Sequence, residues 1–118
     1  LGQGYRPPAL TAKMAATLQV LSGGRFILGI GAGWREDEYA AYGYDFPKPS
    51  VRFAQLEEVI TICRLMWTEA EPSFEGTHFR IAGASAPPLP NPVPRSVSPC
   101  TMRTRSIGTP NTSTASCA

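Results

Sequence analysis

The chain has 118 residues, 42% hydrophobic, with 11 basic and 9 acidic side chains for a formal net charge of +2. That is enough for one domain and gives no basic surface interleaved with aromatics, so nucleic acid is not an expected partner. No window approaches the roughly 18 apolar residues of a membrane helix, so a membrane is not expected either. Cys63, Cys100 and Cys117 form neither a paired framework nor a Cys-x-x-Cys spacing, which predicts no metal and a reducing, cytoplasmic setting.

The sequence opens on Leu1 rather than Met and changes composition sharply along its length, so it reads as a segment of a longer protein. Arg6-Pro7-Pro8 opens the first element, where proline is tolerated in a helix's first turn. Leu10, Met14, Thr17, Leu18 and Leu21 recur at three- and four-residue spacing and predict an amphipathic helix of about 14 residues, with Ala12, Ala15 and Ala16 adding helix propensity. Ser22-Gly23-Gly24 ends it. Arg25 to Ile30 is a short, nearly unbroken apolar run, the pattern of a parallel strand covered on both faces. At its end Gly29, Gly31 and Gly33 alternate, leaving the backbone approachable, so a ligand is expected at the carboxyl end of this strand.

Arg35-Glu36-Asp37-Glu38 places carboxylates in the first turn of a short helix running to about Tyr42. Gly43, Pro47 and Pro49 break it, and Ser50 is the expected N-cap of a longer helix over residues 51–67. In that helix Phe53, Leu56, Ile60, Cys63 and Trp67, reinforced by Val59 and Met66, form the predicted packing stripe, with Arg52, Gln55, Glu58 and Thr61 facing away. Residues 73–81 read as a small hairpin turning at Glu75-Gly76. His78, the single histidine, has no carboxylate or second ligand at a useful spacing and is expected on an exposed strand.

Beyond Pro87 the chain is proline-rich and extended. No Asp or Glu follows Glu75, and from Arg95 to Ala118 the residues are mostly Ser, Thr, Pro, Arg and Cys, with Arg103 and Arg105 lacking aromatic neighbours. Residues 95–118 are therefore expected to be a disordered tail. An abrupt change near Pro94 is also what a reading-frame shift would leave, and resequencing the locus would test it.

Four readings compete for Gly29-Ile30-Gly31-Ala32-Gly33-Trp34. The dinucleotide fingerprint needs a sixth-position glycine, where this chain has Trp34 or Glu36. A methyltransferase-type Gly-x-Gly-x-Gly matches by letters, but Asp45 comes too early to serve as its ribose-binding acid. Close helix–strand packing alone is a third reading. The fourth is a flavin or deazaflavin at the carboxyl ends of (β/α)8 barrel strands.

The stretches Arg6-Pro7-Pro8-Ala9-Leu10, residues 12–18, Leu21-Ser22-Gly23-Gly24-Arg25 and Leu28-Gly29-Ile30-Gly31-Ala32-Gly33-Trp34 resemble the luciferase-like monooxygenase superfamily. Glu38, Tyr42-Gly43, Phe46-Pro47, Arg52, Leu56-Glu57-Glu58, Leu65-Met66-Trp67, Phe74-Glu75-Gly76 and His78-Phe79 continue the resemblance in order, over roughly residues 5–94. It implies an α/β fold: a fragment of a (β/α)8 TIM barrel of about one and a half βα units plus a hairpin excursion. It also implies an oxidoreductase using coenzyme F420 (a deazaflavin) or FMN on a small organic substrate, and is compatible with a homodimeric parent. Gly31, Ala32 and Gly33 match positions lining the cofactor. Trp34 matches a position that carries a catalytic acid in some relatives; an indole cannot donate that proton, so no catalytic residue is carried over. Asp37 falls where relatives place a polar group on the cofactor, and Glu38 with Arg52 suggests a structural ion pair. A barrel of about 250 residues is needed to close such a site, so the isolated chain is expected to be inactive and marginally folded, or the product of a disrupted gene.

Overall fold

The computed structural model describes residues 1–98. Helix α1 covers Pro8–Leu21, as the periodicity predicts. Its end is set by Gly23 and Gly24, at φ +64° and +85°. The Gly23 amide donates to the Val20 carbonyl and the Gly24 amide to that of Gln19, so two otherwise orphaned carbonyls are satisfied by a left-handed glycine cap. Strand β1, Ile27–Gly29, follows directly.

The face that α1 buries differs from the one its leucines predict. Thr11, Ala12, Ala15, Ala16 and Gln19 are buried, whereas Leu10, Met14, Leu18 and Leu21 are exposed, Leu21 to 79%. Small side chains let the backbone of α1 approach helix α3, Pro49–Thr68, its main packing partner. The buried Trp67 ring fits into this contact and donates its indole N–H to the Ala12 carbonyl at 2.9 Å.

Helix α3 starts two residues earlier than expected. Pro49 occupies the first turn, where its fixed φ is preorganised and its missing N–H costs nothing. Lys48, not Ser50, is the N-cap, and it makes no side-chain cap. Leu56, Val59, Cys63, Met66 and Trp67 are buried as predicted. Phe53 is exposed and Ile60 half-buried, while Ile62, absent from the predicted stripe, is fully buried.

The central sheet is parallel and has more members than the one predicted strand. β1 pairs with β4, Arg95–Val97, in the register Ile27–Arg95, Leu28–Ser96, Gly29–Val97. On the other side of β1 the Gly31 amide donates to the Leu1 carbonyl at 2.8 Å and the Gln3 amide to the Gly31 carbonyl at 2.9 Å. Residues 1–3 thus lie parallel beside β1 through a bridge between Gly2 and Gly31. The result is three parallel segments in chain order, with α1 and α3 in the two connections. Arg95, Ser96 and Val97 are consequently strand rather than tail; backbone pairing with β1 gives them their structure despite a composition with little strand pattern. The rest of the tail expectation, with Cys100, Arg103, Arg105 and Cys117, lies outside the described residues.

One face of this sheet is covered. Leu28, Ile30 and Ser96 are buried on the helix side, and Leu28 and Ile30 join Ala12, Ala15, Leu56, Val59, Ile62 and Trp67 in one core. Ile27, Gly29 and Arg95 alternate to the other side and are exposed. The apolar run of β1, which predicts burial on both faces, is therefore buried on one within this chain.

The hairpin pairs β2, Phe74–Glu75, antiparallel with β3, Arg80–Ile81. Glu58 on α3 anchors it, its carboxylate accepting from the amides of Thr77, His78 and Phe79 at 2.8–3.2 Å. Glu58 therefore faces the hairpin and not open solvent, and His78 sits exposed in the turn between the two strands. Gln19 performs a second bridging task from a buried position: its amide donates to the Pro92 carbonyl and its oxygen accepts from the Phe26 amide.

Candidate functional site

The parallel segments end together, and the residues singled out in the sequence follow the end of β1. Gly31 is held by backbone bonds to the segment beside it. Ala32 is half-buried and packs against the core. Gly33 takes φ +85°, a left-handed conformation that disfavours any side chain. Trp34 is 82% exposed, with the Arg35 guanidinium 5.6 Å from its ring centre.

Helix α2, Glu36–Ala41, carries Glu36, Asp37 and Glu38 in its first turn. Asp37 turns back to Arg35, whose Nε and Nη2 donate to its two oxygens at 3.2 and 2.6 Å. This hydrogen bonding lowers the Asp37 carboxyl below the usual carboxylate range and raises Arg35. Both groups are exposed, so the pair adds little stability. The expected Glu38–Arg52 ion pair is not formed. Arg52 instead donates to the Pro47 carbonyl and lies 3.9 Å from the centre of the Phe46 ring. A planar cation gains from an aromatic face, which the sequence pairing of Glu38 with Arg52 overlooks.

Beneath the glycine turn lies an aromatic cluster that sequence reasoning missed. Tyr39, 2% exposed, packs against Tyr5 at 4.4 Å, Phe46 at 5.0 Å and Tyr44 at 6.5 Å between ring centres. A Cβ added to Gly2, Gly4 or Gly33 would lie 2.6, 2.8 or 2.5 Å from a Tyr39 side-chain atom. The three glycines thus form a seat for one phenol ring. Burial raises the Tyr39 pKa, and the Gly4 amide faces the oxygen without reaching hydrogen-bond geometry. Burial, helped by Glu38, pushes Tyr5 up to about 12. The available signal was Gly2-Gln3-Gly4 itself, a Gly-x-Gly with no place in a helix or strand pattern.

Gly29 behaves differently. A Cβ there would meet nothing within 4 Å among the described residues, so open space adjoins the backbone on the uncovered face of the sheet. The alternating glycines therefore divide: Gly33 accommodates Tyr39, and Gly29 adjoins open space among the described residues. Among the described residues no three metal-ligating side chains come together, and no helix is long and apolar enough to cross a membrane.

The luciferase-like monooxygenase family model matches residues 3–107. The chain belongs to that family. The match runs past Pro94, where the resemblance in the sequence was expected to stop. The chain is 41% identical over 90 residues to the F420-dependent glucose-6-phosphate dehydrogenase of Intrasporangium calvum, covering 74% of this chain and 27% of that protein. It is 34% identical over 87 residues to the pyrimidine monooxygenase RutA of Acinetobacter baylyi, covering 71% and 23%. An F420-dependent secondary alcohol dehydrogenase, solved in complex with an F420-acetone adduct, superposes with a TM-score of 0.71 at 26% identity, over 80% of this chain and 28% of that one. This luciferase-like chain spans about a quarter of the length of the curated relatives it matches. Its three parallel segments, with α1 and α3 between them, are a piece of the family's (β/α)8 barrel.

Proposed function

We propose that this chain supplies one wall of a coenzyme F420 or FMN site in a cytoplasmic oxidoreductase acting on a small organic substrate. The observation that carries the reading is the open backbone at Gly29, followed by Gly31 and Ala32 at the carboxyl end of a parallel strand. Ligands of such barrels sit at that end, and a planar ring needs a wall without side chains. The relatives named for F420 support the deazaflavin, and the family resemblance keeps FMN beside it.

When bound, the cofactor supplies hydride transfer, and the protein contributes binding and orientation. In this chain Gly31 and Ala32 would line the ring and Trp34 would close one side. Gly33 would act indirectly, by accommodating Tyr39. Asp37 is the weakest member, because Arg35 already occupies both of its oxygens. No catalytic residue is assigned in this chain, and the substrate's acid or base is proposed to come from another part of the barrel. The isolated chain is accordingly expected to be inactive.

A chimera tests the reading. Residues 1–98 replace the corresponding segment of the Intrasporangium calvum relative, so that Gly2, Gly4 and β4 are carried with the glycine turn, and F420 and FMN are titrated by fluorescence. Saturable F420 or FMN binding by the folded chimera is the expected result. A folded chimera that binds neither would overturn it.

A further inference from the structure

We propose that Tyr39 is a positioning residue: seated against Gly2, Gly4 and Gly33, its ring locks the turn at residues 31–34 onto the end of the neighbouring parallel segment. Three added Cβ atoms, two from the end of one segment and one from the turn after the next, would each come within 2.8 Å of this side chain. Such approaches are closer than side chains tolerate, so glycine at all three positions is matched to Tyr39. The ring is fixed from below by Tyr5 and Phe46, and Arg52 caps Phe46 while bonding to the Pro47 carbonyl. The seat therefore connects α3, through Arg52 and Phe46, to the glycine turn.

Shape does this work, not hydrogen bonding. The Tyr39 hydroxyl is buried without a hydrogen-bond partner among the described residues, so the ring must carry the effect. Two backbone bonds cross the same junction, from the Gly31 amide to Leu1 and from the Gln3 amide to Gly31. They report directly on whether the junction is locked. The consequence for the cofactor rests on the function proposed above; the lock itself does not.

Amide hydrogen exchange on the full chain separates a lock from general packing. In Tyr39→Leu the Gly31 and Gln3 amides are expected to exchange roughly tenfold faster or more through local opening. The amides of Ile62 and Cys63 in α3 should keep their rates. Tyr39→Phe should leave all four unchanged. Equal acceleration at all four amides in Tyr39→Leu, or none at Gly31 and Gln3, would overturn the proposal. In the chimera, Tyr39→Leu should weaken F420 or FMN binding while Tyr39→Phe retains it. If the parent chimera binds neither cofactor, the functional reading fails and the exchange result still decides the lock.

Discussion

Replacing Gly33 with alanine should be among the costliest single-methyl additions in the chain, and the structure says why. At φ +85° an L-residue is strained, by about 1–2 kcal/mol. The new Cβ would also sit 2.5 Å from the Tyr39 oxygen and 3.0 Å from Cζ, an overpacking that costs about 1–3 kcal/mol. Together the loss is about 2–5 kcal/mol, a large part of a small domain's stability. Tyr39→Phe removes the nearer of those atoms and gives up no hydrogen bond, so alone it should be neutral or slightly stabilising. Combined with Gly33→Ala it should relieve part of the steric cost and none of the backbone strain. A double-mutant cycle by urea unfolding at constant m is the assay. A coupling of about 1 kcal/mol is expected; if Gly33→Ala unfolds the chain outright, a regained transition in the double variant reports the same coupling. Strict additivity, or a Gly33→Ala cost below about 1 kcal/mol, would refute the steric seat.

Other outcomes follow from the packing. Ala15→Leu, on the α1 face against α3, should cost about 1–3 kcal/mol by overpacking, while Leu18→Ala on the exposed face should change urea stability by less than about 0.5 kcal/mol; a reversed order would restore the leucine face as the buried one. Burial pushes the Glu58 carboxyl up, but the amides of His78, Phe79 and Thr77 outweigh this and hold it below the usual carboxylate range. Its contribution is then complete above the unfolded pKa and is lost as pH falls through the folded one. Glu58→Gln should cost roughly 1 kcal/mol near neutral pH and remove that acid dependence, read from the Thr77 and His78 amide resonances; an acid transition persisting in the variant would assign it elsewhere. Burial pushes the Cys63 thiol up to about 12, so in a Cys100→Ser, Cys117→Ser chain it should resist maleimide at pH 8 until urea is added, and native-state labelling would contradict its burial.

The existence and order of α1, α2, β1 and the hairpin were legible because proline, glycine and periodicity act locally, but the hairpin turn falls at residues 76–79 and not at Glu75-Gly76, since Glu75 pairs with Arg80. Faces were less so. Hydrophobicity ranks Leu10, Met14 and Leu18 above Ala12 and Ala15, but close approach of two helices favours the smaller residues, and that depends on α3 forty residues away. β4 could not be read from Arg95, Ser96 and Val97, because its order comes from pairing with β1. Ser50 resembled a cap, yet Pro49 is itself a good first helical residue. At the site, the letters showed that Gly31, Ala32 and Gly33 are small and could not show for whose benefit. Glu58 and Gln19 carry side-chain-to-backbone bridges to Thr77 and Pro92, 19 and 73 residues along the chain, a range at which no local pattern points to the partner.

The division among the glycines gives one last comparison. Gly29 and Gly33 belong to one alternating string, and a purely structural reading would assign both to helix–strand packing. Gly29 does not fit that reading, because a Cβ there meets nothing in the described structure, and within a strand alanine is favoured over glycine by roughly 0.5–1 kcal/mol. Within the described residues stability alone favours a larger residue at Gly29, and the function proposed above accounts for its presence by a ring approaching the uncovered face of the sheet. Gly29→Ala should therefore leave the urea midpoint of the chain unchanged or raised, and in the chimera should weaken F420 or FMN binding. Gly33→Ala should do the opposite first, lowering stability before any cofactor is added. If Gly29→Ala leaves the titration untouched, the open backbone at the end of β1 is not where the ring approaches, and the wall must begin at Gly31.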